Sequence, residues 1–200
     1  MVKDMNRLII NKCVDFIDNN SNYNYNEYDL LKIKYGLEGI YLTITKIIII
    51  LLIGFIFKFL DTLIITLIFF NILRFFAFGM HAKESWQCLL MSIILFNGLP
   101  YLLLNISINN YIFYFISLFS IISFLLFAPS DTEKRPLTNK KKRIIRKISS
   151  IIVSFIYILL YIYFTNIRVP ILCSLLIESI MINPISYKLF GLSYNNYKKA

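Results

Sequence analysis

Apolar residues in this chain come in runs long enough to cross a bilayer, separated by short polar stretches. Six runs have the roughly 17–25 residues that about 30 Å of hydrocarbon requires. They cover about 39–57, 60–76, 89–105, 111–128, 148–166 and 169–190. Lys58 and Asp61 mark a tight turn between the first two, which leaves a re-entrant hairpin open as an alternative. Ahead of the runs, Met5, Leu8, Ile9, Cys13, Phe16 and Ile17 recur at helical spacing. That pattern predicts an amphipathic helix lying on the membrane surface. Residues 1–38 hold five basic and six acidic residues and lack the apolar core of a signal peptide. The Asn/Tyr-rich stretch 19–28 reads as a loop, followed by a short helix into Gly36. The expectation is an all-α integral membrane protein with about six transmembrane helices and an N-terminal interfacial helix. It forms a single membrane-embedded domain over 1–200: interfacial helices in 1–38, spans in 39–190, and a basic loop at 129–147.

Composition sharpens this. Apolar residues make up 58% of the chain, against about 45–50% in soluble domains. Charged residues are 16%, against roughly 25%. Three cysteines cannot staple 200 residues, which excludes a secreted disulfide scaffold. The net charge of +10 reports topology and anionic lipid rather than nucleic acid. With the N-terminus in the cytoplasm, Lys58 and Arg168 fall outside and Lys46 lies within a span, leaving 18 of the 21 basic residues inside. The 129–147 loop alone supplies Lys134, Arg135, Lys140, Lys141, Lys142, Arg143, Arg146 and Lys147. Lys46 either snorkels to the nearer interface or pairs with Glu178. No internal repeat is visible, which weakens a transporter built on inverted repeats.

Chemistry concentrates in the connection between the second and third spans, Arg74-Phe-Phe-Ala-Phe-Gly79-Met-His81-Ala-Lys-Glu84-Ser-Trp86-Gln-Cys88. It holds the chain's one His and one Trp. Ionisable residues at membrane depth are costly and therefore functional candidates. A Cys–His pair supplies a thiolate nucleophile and an imidazole that returns a proton to the leaving amine. Seven residues of straight helix would hold His81 and Cys88 about 10 Å apart along the axis, too far for a hydrogen bond. The pair therefore requires a broken or re-entrant segment around 77–88, for which Gly79 is a suitable breaking point. A His at a membrane interface also serves as a surface or packing residue. Phe75, Phe76, Phe78 and Trp86 form either an interfacial anchoring belt or a wall that keeps water out. Arg74 is either the positive flank of the second span or a guanidinium that stabilises an oxyanion or a substrate carboxylate. Cys13 and Cys173 read as small apolar residues. One His is too few for a zinc protease, and there is no His-Glu-x-x-His.

The pattern Arg-x-x-Ala-x-Gly-x-His-Ala-x5-Cys, found at Arg74, Ala77, Gly79, His81, Ala82 and Cys88, resembles the AgrB family of Gram-positive quorum-sensing systems. Gly36, Ala128-Pro129, Arg135-Pro136, Glu178 and Pro184 fit the same family in the same order. The resemblance implies a cysteine endopeptidase of the bacterial cell membrane, with both termini and the active site cytoplasmic and no cofactor. Its substrate would be an AgrD-like propeptide with an amphipathic leader, a short core bearing a Cys or Ser, and an acidic C-terminal tail. Cys88 would cut off the tail and hold the core as a thioester, and His81 would be base and acid. The core's own Cys or Ser would then close a thiolactone or lactone. The resemblance also implies a homodimer, although no G-x-x-x-G motif is present. No third orienting residue is evident; Glu84 and Glu178 are the candidates. Beyond the family, Lys140, Lys141, Lys142 and Arg143 bind anionic lipid, dock the acidic tail by long-range attraction, or do both. The rival reading is a non-enzymatic small transporter, channel or scaffold.

Overall fold

A computed structural model describes residues 2–21, 25–82, 84–106, 108–133 and 136–198, with side chains from residue 10 onward. Among the described residues, six helical stretches are long and apolar enough to cross a membrane. This is a multi-pass, all-helical membrane protein. The chain divides into two compact units, 1–49 and 50–200.

In the first unit, α1 (Val2–Asn20) is the helix anticipated from the amphipathic pattern. Of its expected apolar face, Met5, Leu8 and Ile9 lie outside the described side chains, whereas Cys13 and Phe16 are exposed. α2 (Glu27–Ile56) starts at Asn26, whose side chain accepts the Asp29 N–H at 2.9 Å, and it runs on into the second unit. It corrects one expectation: there is no separate short helix before the first span, because α2 passes unbroken through Gly36 and Gly39. A single helical glycine costs only about 1 kcal/mol relative to Ala. The Leu- and Ile-rich stretch that follows outweighs that penalty.

In the second unit, α3 (Leu60–Ala77) leads into the chemically rich segment. α4 (Ser85–Ile93), a π-helical turn (Ile94–Gly98) and α5 (Leu99–Asn105) make one continuous span. Pro100 cannot donate to the Phe96 carbonyl, and the widened turn absorbs that lost bond. α6 (Asn110–Phe127) is capped by Asn109, which accepts from the Ile112 N–H.

α7 (Lys140–Tyr163) begins eight residues before the expected span. The 129–147 segment is therefore loop only as far as Asn139, whose side chain caps the helix by accepting the Lys142 N–H at 3.2 Å. Lys and Arg are good helix formers, so the cap recruits the basic run into the first turns.

The last span is shorter than expected. α8 (Arg168–Ile182) stops at Asn183, which caps a separate short helix, α9 (Pro184–Leu189), with Pro184 at its start. α8 is the central element, packed against α3, α5, α6 and α7. Ile171, Leu172, Leu175 and Ile177 on it are fully buried, while α3 contributes Leu63 and Leu73 to the same core.

Candidate active site

α3 ends abruptly. Phe78 has φ +61° and Gly79 has φ +118°. Residues 79–82 are not helical, and a new helix starts at Ser85 with Glu84 as its cap. The break around 77–88 that a Cys–His pair requires is therefore present. His81 sits exposed in the non-helical stretch, and Cys88 lies half-buried at the end of the first turn of α4, its N–H donating to the Glu84 carbonyl at 3.1 Å. The rise of a straight helix no longer separates the two.

Two contacts hold the break in place. The Gly79 N–H donates to the Ser130 carbonyl at 2.8 Å and the Ser130 N–H to the Ala77 carbonyl at 2.9 Å, a parallel bridge across Phe78. The Met80 N–H then donates to the Met181 carbonyl at the end of α8, at 3.0 Å. Gly79 has no substitute here. A Cβ would collide with Arg74 Nη1, stand 3.1 Å from the Met181 carbonyl, and face a backbone conformation that L side chains rarely adopt.

Arg74 is the hub. Its Nη1 lies 3.7 Å from the fully buried Glu178 carboxylate and 3.8 Å from the Met181 sulfur. Its Nη2 donates to the Met80 carbonyl at 2.5 Å and stands 3.4 Å from His81 Nε2. A guanidinium can only donate, so this contact calls for the lone pair of His81 on Nε2 and its proton on Nδ1. Sequence reasoning singled out Arg74, Gly79, His81 and Glu178 separately; the structure brings all four together. Glu84 is exposed and makes no side-chain cap to α4, and Trp86 is also largely exposed. Among the described residues, no cluster of His, Cys, Asp and Glu has the makings of a metal site.

The basic run divides. Lys140, Lys141 and Lys142 are exposed at the N-terminus of α7. Arg143 instead turns inward, 3.8 Å from the Asp131 carboxylate, with its guanidinium 3.3 Å from the Tyr197 ring centroid. Arg146, which sequence reasoning counted only as charge, donates to the Phe75 carbonyl and lies 4.4 Å from the Phe78 ring centroid. It thus borders the broken segment directly. Nothing in the sequence signals that contact, because the two residues are 71 positions apart. Asp131 was also overlooked, although it stands two residues after Pro129 of the Ala128-Pro129 step.

Comparison with known proteins identifies the family. The family model for accessory gene regulator B, AgrB, matches residues 10–182. A putative AgrB-like protein of Listeria welshimeri is 33% identical over 190 residues, covering 94% of this chain and 93% of that protein. One from Clostridium acetobutylicum is 36% identical over 173 residues, covering 84% and 82%. The accessory gene regulator protein B of Staphylococcus aureus is 30% identical over 168 residues, covering 82% and 88%. No solved structure matches. A family match across most of the chain, with relatives aligned nearly end to end, means that this chain belongs to the AgrB family.

Proposed function

We propose that this protein is a membrane cysteine endopeptidase that removes the acidic C-terminal tail of an AgrD-like propeptide and cyclises the remaining core. Family membership supports the substrate class. The observation that carries the chemistry is the helix break between Ala77 and Ser85, which frees His81 and Cys88 from the spacing of one straight helix.

In this reading the Cys88 thiolate attacks the carbonyl at the junction of core and tail. His81 passes the thiol's proton to the leaving amine, and the tail departs. The core remains as a thioester on Cys88. The core's Cys or Ser then attacks that carbonyl, closes the ring and returns the thiolate to Cys88. With a Cys, this second step exchanges one thioester for another and is nearly isoenergetic, so water must be kept away. Phe75, Phe76 and Phe78 supply apolar walls beside the segment.

In the resting state Arg74 holds His81 through Nε2, a contact that opens when Nε2 takes up the Cys88 proton, and Glu178 neutralises Arg74 from behind. Glu178 is thus a better third residue than Glu84, acting through Arg74 rather than on the imidazole. Gly79 lets the chain approach the guanidinium. Lys140, Lys141 and Lys142 attract the acidic tail and anionic headgroups; Arg143 is engaged elsewhere. Cations in the first turn of a helix oppose its dipole, so this run serves something other than helix stability. The protein works as a homodimer with both termini in the cytoplasm, consistent with its basic-residue asymmetry.

The test is co-expression with a propeptide of this class, with mass spectrometry of the cells and quantitation of the protein in the membrane. Cys88→Ala should abolish tail removal, and His81→Ala should reduce it by about 10²–10⁴-fold. Undiminished cleavage by Cys88→Ala would overturn the proposal and bring the non-enzymatic reading forward.

A further inference from the structure

A second buried carboxylate stands next to the catalytic segment, and the mechanism above leaves it unused. Asp131 is 2% exposed. Its Oδ2 accepts the N–H groups of Leu137 at 3.1 Å and Tyr197 at 2.8 Å, and its Oδ1 accepts that of Asn196 at 3.1 Å. Arg143 supplies the opposing charge. One side chain therefore gathers the loop after α6, the start of α7 and the C-terminal segment around residues 196–197.

The residue before it, Ser130, brackets Phe78. Ser130 is held from several sides: its hydroxyl lies 2.8 Å from the Ile182 carbonyl, and the Tyr187 phenol donates to the carbonyls of both Ser130 and Asp131 at 3.2 Å. Burial pushes the Tyr187 phenol well above its ordinary range, so it stays a hydroxyl donor. Left-handed backbone at Phe78 costs energy and persists only where the surroundings over-determine it. The Ser130 bridge is one such constraint, and Asp131 anchors the bridge.

We propose that Asp131 is a positioning residue: by clasping the C-terminal segment and Arg143 it fixes Ser130, and through Ser130 it fixes the Phe78–His81 backbone that presents the catalytic imidazole. The C-terminal residues around Asn196 and Tyr197 thereby become part of the active-site support. The catalytic consequence rests on the peptidase reading, whereas the structural consequence is independent of it.

The test uses the full-length protein in lipid nanodiscs, Asp131→Asn, a truncation after Leu192, and the two combined. Asn keeps the shape but loses the second anionic oxygen and the charge facing Arg143; the truncation removes the clasped amides. Hydrogen exchange reports the Gly79 and Met80 amides directly. Both changes should speed exchange across 78–82 by at least about tenfold while leaving the centres of α3 and α8 unchanged. Tail removal should fall by a similar factor, and the combination should add little, as expected for residues acting as one unit. Unchanged exchange at 78–82 in both variants would overturn the proposal. So would faster exchange throughout α3 and α8, which marks a carboxylate that merely holds the fold, or local loosening with undiminished cleavage. Should Cys88→Ala still cleave, the peptidase reading fails, and the exchange pattern alone decides the clasp.

Discussion

Glu178 and Asp131 are both buried carboxylates facing an arginine, yet their surroundings differ. Asp131 accepts three backbone N–H bonds and has Arg143 nearby, so its oxygens are satisfied. Glu178 has no hydrogen-bond partner on either oxygen; its compensation is Arg74 at 3.7 Å. Arg74 in turn divides itself among Glu178, Met181, Met80 and His81. A buried charge is tolerated when it is paired and hydrogen-bonded. Asp131 meets both conditions and behaves as a fixed anchor. Glu178 meets only the first, and its cation also contacts the His81 imidazole. The difference separates a closed structural joint from a pair whose polar capacity remains directed at the site.

The largest expected effect comes from breaking the less satisfied pair. Arg74→Met leaves Glu178 buried with no counter-charge, which should cost about 3–5 kcal/mol. Arg74→Met combined with Glu178→Met should recover most of that, because both charges are then gone. Thermal unfolding in nanodiscs reads both. A double variant no more stable than the single would mean that Glu178 does not depend on Arg74, and the contrast with Asp131 would collapse. Cleavage should be lost in both variants, which separates the role of Arg74 at the site from its role in stability.

Gly79→Ala is the next step down. Its left-handed φ carries strain of about 1–3 kcal/mol for a residue with a side chain. The added methyl also displaces Arg74 Nη1 from its place between Glu178 and Met181. Activity should fall by more than the stability loss explains. Arg74→Lys made alongside it should also be inactive, because a lysine cannot serve Glu178 and Met80 at once. Near-normal cleavage by Gly79→Ala would show that the guanidinium tolerates displacement.

Much of this was legible in the sequence, for physical reasons. Spans announce themselves because a lipid-facing helix must be apolar along its length, as the run leading to Ile56 and that of α6 are. The break at Gly79 was legible because a hydrogen-bonded His81–Cys88 pair would demand one and glycine permits it. The starts of α2 and α7 were misplaced because propensity carries a helix through Gly36 and back to the Asn139 cap, and apolar run length records neither. The Arg74–Glu178 pair was beyond reach, since the two residues are 104 positions apart and meet only when α3 packs on α8. Asp131 gave no signal because its ligands are backbone amides, which every residue but proline carries.

The basic run offers the finest division. Arg143→Lys keeps the charge opposite Asp131 but loses the planar stack on Tyr197, and stability should drop by about 1 kcal/mol. Replacing Lys140, Lys141 and Lys142 together with Gln should change stability by no more than about 0.5 kcal/mol, since exposed cations at a helix N-terminus contribute nothing favourable to it. Function should sort them the other way. The triple variant should weaken cleavage of an acidic-tailed propeptide more than that of a neutral-tailed one, with the gap closing as salt rises. Arg143→Lys should affect both tails alike. Equal losses for both tails in the triple variant would mean that the three lysines serve lipid and topology alone. Of the four residues 140–143, the inward-facing Arg143 alone would then be tied to the site, through the clasp it forms with Asp131.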